Sequence, residues 1–200
     1  MATGKEKAAK VIRTVTVPPV QVCLLLVVLF FCRNTVFSGV MQLLLSLLFL
    51  MVIPALAYPL AAVIPHYRRQ KREGQRKLAF LTSAAGYAAA VVYGLLAGAS
   101  QELMLVYWCY FFSVVTLLIF NRLVGVRASG HACSIAGPLI LAVYLIGWGA
   151  VAPCVALFAV VAWSSLVLKR HTGRELAWGS ACAAIAFAIA LVVVGAMYMS

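Results

Sequence analysis

Two short stretches of this 200-residue chain combine a histidine with basic residues, and each lies where a polar loop meets a long apolar run. The first, 127–131, is Arg-Ala-Ser-Gly-His, and the second, 169–175, is Lys-Arg-His-Thr-Gly-Arg-Glu. Imidazole exchanges protons near neutral pH, and guanidinium groups bind pairs of phosphate oxygens. These residue types therefore predict a site that handles phosphate at the surface of a membrane.

The first stretch has the composition of a helix start that binds an anion. Ser129 is a favourable N-cap residue, and Gly130 lets an anion approach the backbone closely. The first turn of the following helix would offer free N–H groups and the positive end of the helix dipole. Arg127 would add donors, and His131 could give a proton to a leaving oxygen. The alternative is a simple helix cap beside an interfacial histidine.

The second stretch holds a histidine and an acid four residues apart, His171 and Glu175. If the last apolar helix begins before His171, both side chains lie on one helical face, and Glu175 accepts a hydrogen bond from the imidazole. That bond would fix the tautomer and make the other ring nitrogen a better nucleophile. Neighbouring cations, Arg170 among them, would favour a phosphoryl transition state. The alternative is a basic topogenic loop with an incidental His–Glu pair.

A third basic stretch, 66–77, is less specific. Arg69 and Arg76 are seven residues apart within it, and we expect both to contribute to phosphate binding. The alternative is a topology signal that contacts lipid headgroups. We interpret the stretch as a loop between two apolar blocks.

The elements that must position these residues are apolar blocks of membrane-spanning length. The chain is 66% hydrophobic and 10% charged, which excludes an ordinary soluble domain. Blocks of about 20 residues predict transmembrane helices. We therefore predict an all-α polytopic bundle of seven spans, or six because the first and sixth blocks are short. The blocks are 17–32, 37–64, 78–97, 103–120, 131–149, 152–168 and 176–199.

Basic residues predict the orientation of the bundle. With seven spans, all of the 16 Lys and Arg residues except Arg33 fall on one side, which the positive-inside rule places in the cytoplasm. We expect a basic cytoplasmic tail at 1–16, a single transmembrane domain at 17–200, and a C-terminus on the opposite side. The first block is expected to be a retained helix rather than a cleaved signal peptide. The compartment would be a prokaryotic inner or plasma membrane.

Metal and cofactor chemistry finds no support in the sequence. The six cysteines lie in or beside apolar blocks without a C-x-x-C pair, the chain has no aspartate, and its three histidines are far apart. We expect the cysteines to be packing residues and the site to need neither a metal nor a cofactor.

The two histidine stretches resemble motifs of the type 2 phosphatidic acid phosphatase superfamily, a family of membrane lipid phosphatases. The family's second motif is P-S-G-H, and residues 128–131 are A-S-G-H. Its third motif is S-R, five residues, H, three residues, D. This chain has Ser164-Ser165, five residues, His171, three residues, Glu175. Motif order and the two-span separation agree as well.

The resemblance extends over roughly residues 69–179. Residues 71–76, K-R-E-G-Q-R, are similar to a K-R-E-E-R loop of small prokaryotic members, and Gly179 matches a glycine-containing helix after the third motif. The resemblance implies a phosphatidic-acid-phosphatase-like core. The implied substrate is a lipid phosphate or diphosphate of the polyprenyl, phosphatidic acid or phosphatidylglycerophosphate class.

The resemblance also implies roles for individual residues. His171 would attack phosphorus and form a phosphohistidine, Glu175 would take the aspartate's activating role, and His131 would protonate the leaving group. Ser129 and the N–H of Gly130 would bind phosphate oxygens. The reaction would need no metal, and the partners would be the bilayer and a phosphorylated lipid rather than a nucleic acid.

Three departures bear on activity. Ser165 stands at the arginine of the third motif, Ala128 replaces the proline of the second, and the first motif survives as Arg69, six residues, Arg76-Lys77. Losing a phosphate clamp would cost on the order of 2–4 kcal/mol of transition-state stabilisation. Arg127 and Arg170 are the candidates to replace it. If neither does, the chain would be a catalytically weak or inactive lipid-phosphate binding or transport protein. A purely structural membrane subunit is the third alternative.

Overall fold

The computed structural model describes residues 4–199, apart from the side chain of Arg72. That part of the chain is all-helical, without a strand, as predicted. A π-helical turn at Leu48–Val52 and a 3-10 turn at Trp148–Ala150 interrupt the α-helices. The α-helices are α1 (Gly4–Val15), α2 (Pro18–Cys32), α3 (Val40–Leu47), α4 (Ile53–Ala55), α5 (Ala57–Val63), α6 (Pro65–Arg69), α7 (Lys71–Leu96), α8 (Gln101–Arg122), α9 (Gly130–Ile146), α10 (Val151–Val167) and α11 (Gly173–Tyr198).

The described residues contain fewer segments of spanning length than the seven predicted, and at most the six of the alternative. Within residues 4–199, five are long and apolar enough to cross a membrane, and α1 with α2 makes a sixth when this pair, bent by 57°, counts as one. The fifth predicted block fell short because α9 has 17 residues and ends at Gly147, whose φ is +104°. Long apolar helices of this kind are consistent with an integral membrane protein. The five are Val40–Val63, Glu73–Leu96, Gln101–Arg122, Trp148–Val167 and Gly173–Tyr198.

Helix starts follow the local sequence. Proline occupies the first turn of α2, where its missing N–H costs nothing because N–H groups of that turn have no partner within the helix. Hydroxyl side chains cap three later helices: Ser100, Ser129 and Thr172 accept hydrogen bonds from backbone N–H groups of α8, α9 and α11. The predicted N-cap role of Ser129 is confirmed.

The second predicted block is irregular where its prolines lie. The segment passes from α3 through the π-helical turn Leu48–Val52 into α4, and Pro54 is the second residue after that turn. Proline has no N–H to donate and its ring crowds the carbonyl four residues earlier, so the regular ladder is interrupted there.

The basic stretch 66–77 is not a loop, contrary to the prediction. It forms α6 and the first turns of α7, and the break between them lies at Lys71, whose φ is +50°. Lysine, arginine, glutamate and glutamine are good helix formers, so the helices extend into this polar stretch beyond the apolar segments.

The basic N-terminal stretch is also helical within its described part. Helix α1 packs against α10, with Ala9 and, just beyond its end, Thr16 buried. Val11 and Val15 remain 63% and 59% exposed on another face. Such a helix, with an apolar face and several lysines, is typical of the interface between lipid and water.

The core lies around α8, which packs against α7 and α11, while α11 also packs along α9. Leu26, Leu103 and Leu141 are fully buried there. The Ser46 hydroxyl and the Tyr107 phenol share a buried hydrogen bond of 2.6 Å. This rigid centre fixes the relative positions of α9 and α11, whose N-terminal ends carry the two histidine stretches.

Candidate functional site

The N-terminal ends of α9 and α11 are joined through their backbones. The Ser129 N–H donates to the Glu175 carbonyl over 3.0 Å. Gly179, one turn further along α11, lies so close that a Cβ there would overlap the Ser129 carbonyl oxygen and crowd Ala132. The two stretches, forty residues apart in sequence, therefore meet at one point of the structure.

Asn121 holds the loop that leads into this junction. This residue was not singled out from the sequence. Its Oδ1 accepts the Ala128 N–H at 3.2 Å, and its Nδ2 donates to the Ala128 carbonyl at 3.4 Å. These two bonds close the loop 123–129 directly before the cap. An amide side chain at the end of an apolar helix was the signal that could have identified it.

Ser129 and Gly130 form the start of α9. The Ser129 Oγ accepts the Ala132 N–H at 3.2 Å and is buried, so its oxygen already serves the helix, while its O–H remains a donor. Gly130 is exposed. In the described part of the chain, no acceptor is bonded to the backbone N–H groups of Gly130 and His131. These two N–H groups form the positive end of the α9 dipole.

Glu175 connects most of the second stretch. One carboxylate oxygen accepts from His171 Nδ1 at 3.2 Å and from the Thr172 N–H at 3.2 Å. The other is 3.5 Å from the Nε of Arg127, whose side chain is 78% exposed. The Glu175 N–H in turn donates to Thr172 Oγ1, which completes a capping box.

The route to the His171–Glu175 contact differs from the prediction. The expected condition was a helix that begins before His171, and α11 begins at Gly173 instead, with Thr172 as its N-cap. His171 therefore precedes the helix. The capping box draws the Glu175 side chain back toward the cap, and His171 meets it there.

The environment of His171 favours a neutral imidazole with a free Nε2. Partial burial lowers the pKa of His171 below its ordinary value of 6.5, the hydrogen bond to Glu175 raises it, and the charges of Arg13 and Arg76 lower it, with a net decrease. Since Nδ1 faces a carboxylate, we assign its proton to that nitrogen. The lone pair of Nε2 is then available as a nucleophile.

His131 faces the same region from α9. Its Nε2 is buried and has no hydrogen-bond partner among residues 4–199. The ring lines a narrow gap between α9, α10 and α11, together with Ser165 and Leu176. Burial, and after it the neighbouring Arg13 and His171, lower the pKa of His131 to about 4, so this imidazole is neutral near pH 7 while no anion is bound. The charge of Arg13 acts on both imidazoles.

The predicted cations divide into two groups. Arg127 contacts Glu175, and Arg76 acts electrostatically on His171. Arg170 instead lines a separate surface depression between α10 and α1, and exposed Arg69 makes no hydrogen bond or ion pair within residues 4–199. We therefore retain Arg127 and Arg76 as site cations and place Arg170 and Arg69 outside it.

Arg13 is the cation that sequence reasoning missed. Its Nη1 donates to Ser165 Oγ at 3.4 Å, across 152 residues of sequence. It also acts electrostatically on both His131 and His171. The available signal was indirect: Arg13 is the last basic residue before the first apolar block, on the side that carries the other cations.

Two imidazoles, one carboxylate and several guanidinium groups thus converge at one end of the bundle. Over residues 4–199, no group of three His, Cys, Asp or Glu side chains could hold a metal ion. The arrangement suits anion binding, nucleophilic attack by an imidazole and proton exchange by a second one. Comparisons with protein-family models, with curated proteins and with solved structures found no match to this chain.

Proposed function

We propose that this chain is an integral membrane phosphatase that hydrolyses a lipid phosphate or diphosphate through a phosphohistidine. The observation that supports it most is the pairing of His171 with Glu175 beside the buried, unpartnered Nε2 of His131. A carboxylate-oriented imidazole is an activated nucleophile, and a second imidazole without a partner is suited to proton transfer. The sequence resemblance to type 2 phosphatidic acid phosphatases points to the same chemistry.

In the first step, the lone pair of His171 Nε2 forms a bond to phosphorus while the bond from phosphorus to the lipid oxygen breaks. The leaving oxygen keeps the bonding pair and takes a proton from the imidazolium of His131. A bound phosphate favours that protonated imidazole because opposite charges stabilise each other. Glu175 holds His171 through Nδ1 and stabilises the positive charge that the ring gains.

In the second step, water attacks the phosphohistidine. His131, now neutral, takes a proton from the water as the new P–O bond forms. The P–N bond breaks, its electron pair returns to Nε2, and phosphate leaves. Arg127 and the N–H of Gly130 would bind the equatorial oxygens in both transition states.

The proposed substrate follows from the location of the site. It lies at helix ends rather than in mid-bundle, next to an amphipathic helix with exposed valines. A lipid would keep its acyl or prenyl chain in the bilayer and present its phosphate at this level. We expect this end to face the cytoplasm, because it carries most of the basic residues and the positive-inside rule favours that orientation.

Phosphate release from purified, reconstituted protein tests the proposal. The panel is phosphatidic acid, phosphatidylglycerophosphate and a polyprenyl diphosphate. We expect release for at least one lipid, and a loss of 10³-fold or more, on the order expected for removing a nucleophile, in His171→Ala. His66→Ala is the matched control, because His66 is exposed on α6 and bonds Gln70 instead of site residues.

A phosphoprotein trapped by acid-free quenching should appear with wild type and with His131→Ala, but not with His171→Ala. Equal rates for wild type and His171→Ala would contradict the proposal, and so would the absence of release from every lipid of the panel.

Lipid-phosphate binding without hydrolysis is the second candidate function. The observation that favours it is Ser165, a buried hydroxyl where the resembled motif carries a guanidinium. It predicts that wild type binds vesicles containing phosphatidic acid, releases no phosphate, and keeps its affinity in His171→Ala.

A further inference from the structure

Helix α1 brings a guanidinium to the site from outside the bundle. Arg13 lies in the last turn of α1 and is half-buried against α10, where its Nη1 bonds Ser165 Oγ at 3.4 Å. Ser165 is fully buried, so this bond enters the protein rather than lying on its surface. Lys5, Lys7 and Lys10 of the same helix are exposed instead.

The Arg13–Ser165 contact lies beside both imidazoles. Ser165 and His131 line the same narrow gap, and the Nε2 of His131 is buried without a hydrogen-bond partner among residues 4–199. The positive charge of Arg13 acts on His131 and also on His171. One guanidinium therefore lies within electrostatic reach of the proposed acid and of the proposed nucleophile.

Two like charges beside two imidazoles are unfavourable without an anion. Arg13 and Arg76 both oppose protonation of His171, and Glu175 favours it. A phosphoryl group would reverse this balance, because its oxygens accept from guanidinium and imidazolium together. A guanidinium has five N–H donors in a plane, so a bond to Ser165 is compatible with binding an anion.

We propose that Arg13 binds the phosphoryl group between His131 and His171, so that α1 is part of the phosphate site. This inference rests on the proposed function and replaces Arg170 as the substitute for the guanidinium absent at position 165. Activity would then require α1 to be in place. A helix with exposed Val11 and Val15 lies on lipid, and its seating against α10 determines where Arg13 is held.

Arg13→Gln is the direct test, with Lys10→Gln on the same helix as the matched control. We expect Arg13→Gln to lower kcat/KM by about 10²- to 10³-fold, as for the loss of one transition-state donor. Lys10→Gln should change kcat/KM less than threefold. Arg13→Lys should recover only part of the loss, since a lysine lacks the planar fork.

Rescue separates phosphate binding from a structural role. Methylguanidinium added to Arg13→Ala should restore part of the rate, whereas methylammonium should not. In the double variant Arg13→Gln/Ser165→Arg, the guanidinium would come from α10, and kcat/KM should exceed that of Arg13→Gln. The chemical rescue keeps the test decisive if the buried Ser165→Arg change prevents folding.

A pH profile distinguishes an electrostatic role of Arg13 from a purely structural one, because a structural role would not shift the profile. Without Arg13, the groups that act on His171 are Glu175, which raises its pKa, and Arg76, which lowers it. The acid limb of kcat/KM should therefore move to higher pH in Arg13→Gln. Unchanged activity and an unchanged limb, with His171→Ala still inactive, would overturn this inference and leave the proposed function standing.

If wild type releases no phosphate, the proposed function fails and the inference is tested by binding. Inorganic phosphate, followed through its stabilisation of the protein against thermal unfolding, is then the probe. Loss of that stabilisation in Arg13→Gln, with retention in Lys10→Gln, supports Arg13 as the phosphate ligand. Equal stabilisation in both variants overturns it.

Discussion

Two glutamates lie in the first turns of helices at opposite ends of the bundle. Glu102 lies in the first turn of α8 after the Ser100 cap, and Glu175 lies in the first turn of α11 after the Thr172 cap. Each also pairs with an arginine from another loop, Arg33 and Arg127 respectively. In both, an acid follows a hydroxyl cap, two residues after Ser100 in α8 and three residues after Thr172 in α11, where it completes a capping box.

Their partners differ. Each carboxylate oxygen of Glu102 accepts one short bond, from Arg33 at 2.7 Å and from Thr35 at 2.6 Å, and these bonds join the loop after α2 to the start of α8. Glu175 makes contacts of 3.2–3.5 Å, and one of them is to an imidazole. The short bonds of Glu102 stabilise the fold. The longer contacts of Glu175 allow its carboxylate to move toward the imidazole when that ring gains positive charge.

The largest difference between the two ends should come from removing each carboxylate charge. Glu175→Gln should lower kcat by about 10²- to 10³-fold, because His171 loses the group that orients it and stabilises its positive form. Glu102→Gln should leave kcat within twofold and cost about 0.5–1 kcal/mol of stability, the value of a partly exposed ion pair. Phosphate release and thermal unfolding in detergent measure the two effects.

Equal loss of activity in both variants would show that the two carboxylates act alike through the fold. The comparison of the two ends would then carry no functional information.

The next effect concerns the close approach of α11 to the cap of α9. In Gly179→Ala, the new methyl group would overlap the Ser129 carbonyl, so the two helix ends must separate. We expect about 1–3 kcal/mol of destabilisation and a loss of activity of about 10- to 100-fold. Gly195→Ala on the same helix is the matched control, because its Cβ would meet nothing within 4 Å. A Gly179→Ala variant as active as Gly195→Ala would argue against this geometry.

A smaller effect is expected in the pH dependence. In the proposed mechanism neutral His171 is the nucleophile, so kcat/KM should fall as pH drops through its pKa, which lies below 6.5. Glu175 raises that pKa, so Glu175→Gln should move the residual acid limb to lower pH by about one unit or less. Glu102→Gln should not move it. A wild-type limb above pH 6.5 would contradict the assignment of His171 as the free base.

The sequence predicted the helices well because apolar blocks and caps are local signals. The start of α2 at a proline and the N-cap role of Ser129 follow from residues within one turn. The number of spans was predicted as seven or six, and residues 4–199 contain five or six, because block length alone does not reveal that Gly147 ends α9 or that α1 and α2 form one bent pair. The helical state of 66–77 was missed because the prediction rested on polarity, and polar residues form helices too.

The candidate site was predictable in its histidines and less so in its cations. His131, His171 and Glu175 were identified from motif spacing, and the structure brings them to one end of the bundle. Arg13 lies 152 residues from Ser165 in sequence, and only packing of α1 on α10 joins them. Asn121 acts through two backbone bonds whose geometry no spacing rule expresses.

The smallest expected effect lies in the two caps. Thr172→Ala and Ser100→Ala each remove a cap bond, and each should cost about 0.5–2 kcal/mol. Ser100 Oγ also donates to the Val36 carbonyl at 2.7 Å, so Ser100→Ala belongs at the upper end of that range.

Only Thr172→Ala should change the reaction rate, because the Thr172 cap draws Glu175 toward His171. We expect its kcat/KM to fall about three- to tenfold, while Ser100→Ala keeps wild-type activity despite the larger loss of stability. Thermal unfolding and phosphate release on the same preparations separate the two quantities. A greater loss of activity in Ser100→Ala would mean that stability of the bundle, rather than the placement of Glu175, limits the rate.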